Sequence, residues 1–328
     1  MARRRKQLSQ EPVVADIESL THDGRGVTRI NGKTVFVDGA LPEERVEFVY
    51  SRSHRNYDEG VVKSVITASA YRVEPACEHF GVCGGCKLQH LDETEQIKRK
   101  QQVLLDDFKH IAQVEPESIL PPLTSPIWGY RRKARLGVRY VIKKERILVG
   151  FRERNSHFLA DLKTCRILHP AIGNKLTELA ELIRGLSCYS RIPQVEVAIG
   201  DDEVALVFRT LDALNDNDIE LLVEFGKQHR FQIYIQPKGP DTISLLWPAE
   251  ATLSYALPEY DVRVVFRPGD FTQVNTDINR SMVKHALTLL DLQASDRVLE
   301  LFCGLGNFTF AIARQVAHVS AAVSYTHL

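Results

Sequence analysis

Four cysteines are the residues of this 328-residue chain whose types and spacing most directly imply chemistry. Cys77, Cys83 and Cys86 lie in the glycine-rich run CEHFGVCGGC, and Cys165 follows in KTCR. Thiols at this spacing converge on one metal centre, because the glycines permit tight turns and supply N–H donors to thiolate sulfur. From the residues alone, a 4Fe-4S cluster and a four-thiolate zinc site both fit. Unligated core thiols are the less favoured alternative.

A glycine turn near residue 305 is a second candidate site. Residues 297–302 predict an apolar strand, residues 303–307 (CGLGN) a turn, and residues 308–316 a helix. This order is typical of nucleotide-cofactor loops, in which glycines let the backbone approach a ligand. Thr309 stands where the dinucleotide fingerprint has its third glycine, which disfavours NAD and fits S-adenosylmethionine, a cofactor without pyrophosphate. A tight connection with glycines needed only for geometry is the alternative.

A basic segment with interleaved aromatic residues is the third candidate. Residues 128–154 hold ten arginines and lysines against two glutamates. Guanidinium groups neutralise phosphates and aromatic rings stack on unpaired bases, so the segment fits single-stranded RNA. We expect Arg131, Arg132 and Lys133 to contact RNA, although a solvated sheet face whose charges pair within the protein is an equal alternative. The basic run at residues 3–6 is a second, weaker element.

The first 69 residues predict a small β-barrel. Turn signals DG, NG and DG separate five short β-rich runs, at 13–20, 26–30, 33–37, 45–51 and 57–65. Short strands without an intervening helix indicate an OB-like barrel, which often binds oligonucleotides. A purely structural module is the alternative.

The middle of the chain, residues 70–262, predicts an α+β domain that carries the cysteines and the basic segment. Helices are expected at 92–111, 171–186 and 216–228, with Leu91, Ile97, Val103, Leu104 and Phe108 near one face of the first. Strands are expected at 135–142, 147–152, 194–199, 204–208 and 231–236. The last part, 263–328, predicts the beginning of a Rossmann-like α/β domain, with a helix at about 276–292. We expect the helical insert near 92–112 to pack on that domain.

Composition favours a multidomain enzyme of a reducing compartment, which we expect to be the cytoplasm. Six cysteines are too few for a disulfide framework in a chain of this length, and the basic start is not followed by the apolar stretch of a signal peptide. No apolar run reaches the roughly 18 residues that span a bilayer. The formal net charge is zero, so attraction to RNA must come from local patches.

Taken together, these motifs resemble the 23S ribosomal RNA (uracil-5-)-methyltransferase family. The resemblance rests on their order along the chain: the barrel, CEHFGVCGGC, WGYRRKARL, GFR, KTCRIL, DFTQVN and VLELFCGLGNFT. It implies a TRAM domain at 1–69, a 4Fe-4S cluster in the central domain, and a methyltransferase domain that makes 5-methyluridine in 23S rRNA from S-adenosylmethionine. It also implies that Cys77, Cys83, Cys86 and Cys165 ligate the cluster. No membrane or protein partner is implied.

The resemblance further implies that Gln273, Phe302 and Asn307 bind the cofactor. It gives Cys303 a place in the cofactor loop, and no base near Cys303 is evident that would make it a nucleophile. Cys188, outside every motif, is expected to be a buried structural thiol.

The nucleophilic cysteine and the general base of this family fall beyond residue 328, so no residue here is expected to be catalytic. We therefore expect a C-terminally truncated, inactive chain whose tail, residues 324–328, is unrelated to the family. A tRNA uracil-5-methyltransferase, a family expected to lack the barrel and the cluster, is one alternative function. A non-catalytic iron-sulfur RNA-binding protein is the other.

Overall fold

The computed structural model describes residues 11–323, which separate between Pro122 and Leu123 into two compact units. The basic run at 3–6 and the tail at 324–328 lie outside the described residues. This division does not test the expected domain boundaries at 69/70 and 262/263, which stay predictions.

The first unit begins with a six-stranded sheet, whose strands lie in the order β1-β5-β6-β4-β3-β2. The strands are β1 (Val13–Asp16), β2 (Ser19–Leu20), β3 (Gly26–Ile30), β4 (Lys33–Asp38), β5 (Arg45–Ser53) and β6 (Tyr57–Thr67). Alternate residues point inwards, so Val35, Val37, Val46 and Phe48 are fully buried. Gly60 makes room for this core, because a Cβ there would lie 2.5 Å from the Phe48 ring.

The expected first strand, 13–20, is wrong in one respect, because it is two strands. The chain changes partner at Ile17, whose N–H donates to the carbonyl of Glu44 at 2.8 Å, while Glu18 N–H donates to Val27 O at 2.8 Å. β1 therefore pairs with β5 at one end of the sheet order and β2 with β3 at the other. Sequence periodicity could not show this exchange, since both halves are β-rich.

Glu44 binds the segment that follows the six-stranded sheet of the first unit. Its buried carboxylate accepts from Arg72 Nε at 2.5 Å and from the N–H groups of Leu41 at 2.9 Å and Ser69 at 3.3 Å. Burial by itself would raise the pKa of Glu44, but Arg72 and the two N–H donors outweigh it and the pKa is lowered. The folded first unit therefore favours the charged form of the Glu44 carboxylate.

Helix α1 (Glu93–Asp107) follows the cysteine loop and continues into a π-helical turn, Phe108–Ala112. Asp92 caps it by accepting from the N–H groups of Thr94 and Glu95. The predicted helix at 92–111 is thus confirmed. Its predicted apolar face is buried only at Leu91, whereas Leu104 and Phe108 are exposed. Packing of this helix on the methyltransferase domain stays a prediction.

The second unit contains a six-stranded sheet with the order β12-β11-β10-β9-β7-β8. Its strands are β7 (Lys133–Val141), β8 (Arg146–Gly150), β9 (Gln194–Ile199), β10 (Val204–Arg209), β11 (Phe231–Gln236) and β12 (Ser244–Trp247). Pairing is antiparallel except between β10 and β11, which run parallel. The five strands predicted for this domain are confirmed within two residues at each end, and β12 was not predicted.

Helices α2 (Pro170–Gly173), α3 (Leu176–Gly185) and α4 (Asp216–His229) accompany this sheet, with α3 against β8 and α4 against β11. The single helix predicted at 171–186 is wrong, because the chain breaks at Asn174 and Lys175 between α2 and α3. The chain packs closely at this break, because a Cβ at Gly173 would lie 2.3 Å from the carbonyl oxygen of Cys165. Gly173 O also accepts from Cys165 N–H at 2.8 Å.

The last part of the second unit combines a hairpin, a helix and a parallel strand pair. Its elements are β13 (Leu253–Leu257), β14 (Val262–Phe266), α5 (Thr276–Leu290), β15 (Arg297–Leu301), α6 (Thr309–Ala313) and β16 (His318–Ala322). They share one apolar core, to which β13, β14, α5 and α6 contribute buried residues.

The apolar strand predicted at 297–302 is present as β15, and it has a partner strand that was not predicted. β15 pairs parallel with β16 from Arg297–His318 to Leu301–Ala322, and α6 makes the crossover between them. The partner was missed because His318–Ala322 is short and only weakly apolar. Among the helices between residues 11 and 323, none combines the length and the apolar character needed to cross a bilayer.

Candidate cofactor site

The turn after β15 has two glycines with different functions. Both have positive φ angles, 55° at Gly304 and 85° at Gly306. A Cβ at Gly304 would meet no atom of the described chain within 4 Å, whereas a Cβ at Gly306 would lie 2.6 Å from the Phe310 ring. Gly304 therefore leaves the backbone open to a ligand, and Gly306 lets the turn pack onto α6.

Asn307, at the end of this turn, lies in a network of side-chain hydrogen bonds. Its Oδ1 accepts from Asn279 Nδ2 at 2.9 Å and from the Tyr255 hydroxyl at 3.0 Å. Its Nδ2 donates to Asn279 Oδ1 at 2.8 Å, so the two carboxamides pair reciprocally. Strand β13, helix α5 and the glycine turn thus meet at one amide. Burial raises the pKa of Tyr255 to about 12, so its hydroxyl stays protonated at neutral pH.

Arg280 in turn fixes helix α5 to the six-stranded sheet of the second unit. Its guanidinium donates to both carboxylate oxygens of Asp201 at 2.9 Å and to the Ala256 carbonyl at 3.0 Å. Asp201 Oδ2 also accepts from the Ala256 N–H at 2.8 Å. The turn between β9 and β10 therefore fixes helix α5, and Asn279 of that helix binds Asn307.

The other two predicted cofactor residues are exposed. Phe302 is 79% exposed, with a positive φ of 63°. Gln273 lies in the loop before α5, two residues ahead of Asn275, whose Oδ1 caps the helix by accepting from Ile278 N–H at 3.1 Å. Asn307 alone of the three is fixed by the bonds described above. Their cofactor role stays a prediction.

Sequence reasoning missed Asn279 and Tyr255. A signal for Asn279 existed, because the buried positions of α5 are Thr276, Asn279, Val283 and Leu287, the spacing of one helical face. A carboxamide on that face needs a buried partner. Tyr255 had no comparable signal, since its pairing depends on a strand that was not predicted.

The basic triplet at the start of β7 is bonded to the backbone of its own unit. Arg131 Nε donates to the Lys133 carbonyl at 3.1 Å, and the Arg132 guanidinium donates to the carbonyl of Gly200. Their main chain joins two other segments: Arg131 N–H donates to Ile167 O and Arg132 N–H to Val274 O, both at 2.9 Å. The triplet thus connects the stretch after Cys165 with the stretch after Gln273. These internal bonds favour the alternative, in which the triplet is bonded within the protein, over the predicted contact with RNA.

Family models match two parts of the sequence. The TRAM domain matches residues 12–63, and tRNA (Uracil-5-)-methyltransferase matches residues 248–325. The 23S rRNA (uracil(1939)-C(5))-methyltransferase RlmD of Hahella chejuensis is 52% identical over 321 residues, which are 97% of this chain and 72% of that protein. The chain belongs to the 23S rRNA uracil-C5-methyltransferase family. The corresponding Nitrosococcus oceani protein is 53% identical, over 96% of this chain and 71% of its own length.

The similarity to these two relatives extends over almost the whole chain, from the first six-stranded sheet to the glycine turn. A more distant likeness shows the fold. The crystal structure of Pyrococcus abyssi tRNA (uracil-54, C5)-methyltransferase in complex with S-adenosyl-L-homocysteine has a TM-score of 0.67 at 20% identity, covering 95% of this chain and 74% of that one.

The cysteines of this family member lie in two segments. In the first unit, Cys83 N–H donates to His79 O at 2.9 Å, and Gly85 N–H points to Cys83 Sγ at 3.4 Å. In the second unit, Cys165 is held by Gly173 as described above. All four predicted ligands are half-buried. Between residues 11 and 323, no group of three or more His, Cys, Asp or Glu side chains is arranged to hold a metal ion.

Proposed function

We propose that this protein transfers a methyl group from S-adenosylmethionine to C5 of a uridine in 23S rRNA. The observation that carries the proposal is the 52% identity to a 23S rRNA uracil-C5-methyltransferase over 97% of the chain. The bound S-adenosyl-L-homocysteine named for the archaeal structure of the same fold supports the cofactor. We propose rRNA as the substrate and not tRNA, because the relatives that are 52% and 53% identical are named as 23S rRNA methyltransferases.

The cofactor site consists of Gln273, Phe302, the glycine turn and Asn307. S-Adenosylmethionine would supply an electrophilic methyl group there. Gln273, an exposed carboxamide, can bond the amino-acid end of the cofactor, and the exposed Phe302 ring can lie beside it. Gly304 leaves the backbone accessible, while Asn307 is held by α5 and β13.

Uracil C5 is a weak nucleophile, and a cysteine thiolate that adds to C6 would activate it, with a base removing the C5 proton afterwards. We assign neither role to Cys303. Its N–H donates to Ala322 O at 3.0 Å and its Sγ lies 3.8 Å from Gly304 O, which makes it part of the turn.

We also propose that Cys77, Cys83, Cys86 and Cys165 bind a 4Fe-4S cluster. Their donor chemistry fits: four thiols, a glycine-rich loop, and an N–H already directed at the Cys83 sulfur. The family resemblance favours iron-sulfur over zinc. No step of methyl transfer is assigned to the cluster.

The proposed function is tested by product analysis. The purified protein is incubated with tritiated S-adenosylmethionine and unmodified 23S rRNA or tRNA, and the digested nucleosides are separated. The proposal expects label in 5-methyluridine from 23S rRNA. Label in tRNA alone, at another base atom, or in no product would contradict it. The inactivity expected from the sequence is the opposite outcome, and the absence of label from every product would support it.

A further inference from the structure

The hydrogen-bonding capacity of the Asn307 carboxamide is almost completely used within the protein. A carboxamide offers two acceptor sites on oxygen and two N–H donors. Asn279 and Tyr255 occupy both acceptor sites of Asn307, at 2.9 and 3.0 Å. One donor is bound to Asn279 Oδ1 at 2.8 Å. A single N–H donor remains.

The two partners are buried and Asn307 itself is half-buried. Asn279 is 4% exposed and Tyr255 9% exposed. Asn279 is on a helix fixed by Arg280 to Asp201, and Tyr255 is in the middle of a paired strand. The partners therefore belong to rigid elements, whereas Asn307 lies at the edge of the open glycine turn. This geometry fixes the plane of the amide and prevents it from turning its oxygen to a ligand.

We infer that Asn279 and Tyr255 are positioning residues, which orient Asn307 so that it offers one N–H donor to an acceptor on the cofactor. The inference rests on the proposed function. Among the acceptors of S-adenosylmethionine the carboxylate at the amino-acid end is charged and therefore forms the strongest bond. The ammonium group beside it can only donate, so this amide does not bind it. Asn307 thus selects the carboxylate.

The test compares two ligands on the intact chain by calorimetry. S-Adenosylhomocysteine carries the carboxylate, and 5′-methylthioadenosine lacks the whole amino-acid end. Asn279→Leu should weaken S-adenosylhomocysteine about tenfold, since a fixed hydrogen bond to a charged group is lost, and change 5′-methylthioadenosine less than about threefold. Tyr255→Phe, which removes one hydroxyl, should act in the same direction by about threefold.

A double variant separates positioning from general damage. Asn279→Leu combined with Asn307→Ala should bind S-adenosylhomocysteine no more weakly than Asn307→Ala alone, because Asn279 acts through Asn307. Tyr234→Phe is the matched control, since its hydroxyl makes a 3.1 Å bond to the buried carboxamide of Gln232 in the central sheet. It should leave both affinities unchanged.

Three results would overturn the inference: equal weakening of both ligands, additive effects in the double variant, or parental affinity in both Asn279→Leu and Tyr255→Phe. If Asn279→Leu does not fold, Tyr255→Phe alone decides by the ratio of the two ligand affinities. Failure of the parent chain to bind S-adenosylhomocysteine would instead contradict the proposed function.

Discussion

The ammonium group of Lys133 donates a 3.0 Å hydrogen bond to the carbonyl of Pro268 and also contacts the carbonyl of Asp270. Burial lowers the pKa of Lys133, with nearby Arg135 acting in the same direction and Glu196 and Asp270 opposing it. The side chain therefore ties the first residue of β7 to the turn that leads towards Gln273. A lysine held in this way is a structural residue of the second unit.

Neutralising the basic triplet should accordingly reduce stability more than it reduces RNA binding. Lys133→Met leaves two carbonyls without their donor, which should lower the free energy of unfolding by about 1–3 kcal/mol. Replacing Arg131, Arg132 and Lys133 with Gln should change the slope of log affinity against log salt by less than about one unit. Urea unfolding and RNA titration at several salt concentrations measure the two effects.

The matched control is the exposed basic set Arg139, Lys143 and Arg152 of the same segment. Neutralising these three should lower the salt slope by about two to three units with little loss of stability. A two- to three-unit change from the triplet, with none from the exposed set, would show that the triplet contacts phosphate as the sequence predicted.

The Glu44–Arg72 pair should make the first unit sensitive to acid. Because the folded pKa of Glu44 lies below its ordinary value of 4.5, the folded state binds fewer protons, and the pair stabilises the fold above that value. The contribution is lost as pH falls through the lowered pKa. Glu44→Gln should cost about 3–5 kcal/mol at pH 7.

The exposed neighbour Glu43 supplies the control, since Glu43→Gln should cost less than about 1 kcal/mol. Thermal unfolding of both variants between pH 7 and pH 3 checks the assignment. Equal stability of Glu44→Gln and the parent chain at pH 7 would refute it.

Gly304→Ala and Gly306→Ala should differ, although both place alanine at a positive φ. Each substitution costs about 1 kcal/mol for the left-handed backbone. Gly306→Ala adds the collision with Phe310 and should cost about 3 kcal/mol in total. Unfolding by urea measures both, and equal losses would mean that the turn does not pack on α6 as described.

The four cysteines should act as one unit. Anaerobically purified protein should contain about four irons, because four thiolates complete a cubane cluster. Cys165→Ser should reduce the iron content as much as Cys83→Ser, and the buried Cys188→Ser should leave it unchanged. Stoichiometric zinc without iron would exclude the cluster, and a loss of iron confined to Cys83→Ser would exclude Cys165 as a ligand.

Local signals predicted much of the secondary structure. The Asn31-Gly32 turn and the β-rich runs around it gave the barrel strands, because a tight hairpin depends on neighbouring residues. The strands at Gln194–Ile199 and Phe231–Gln236 were predicted at their observed ends. The glycine turn was placed correctly between β15 and α6.

Features that depend on distant residues escaped prediction. The helix break at Asn174 lies beside the close contact between Gly173 and Cys165, and the short strand β16 is paired with β15. Asn307 was predicted as a ligand residue, yet its partners lie 28 and 52 positions away along the chain. The order of residues along the chain does not reveal such pairings, since they form only when the second unit folds.

The most direct test of the central claim is equilibrium binding of tritiated S-adenosylmethionine to the parent chain and to Asn307→Ala. We expect one saturable site in the parent, competed by S-adenosylhomocysteine, and about tenfold weaker binding in Asn307→Ala. No binding to the parent chain, or equal affinity of the two proteins, would contradict the assignment of the glycine turn as the cofactor site.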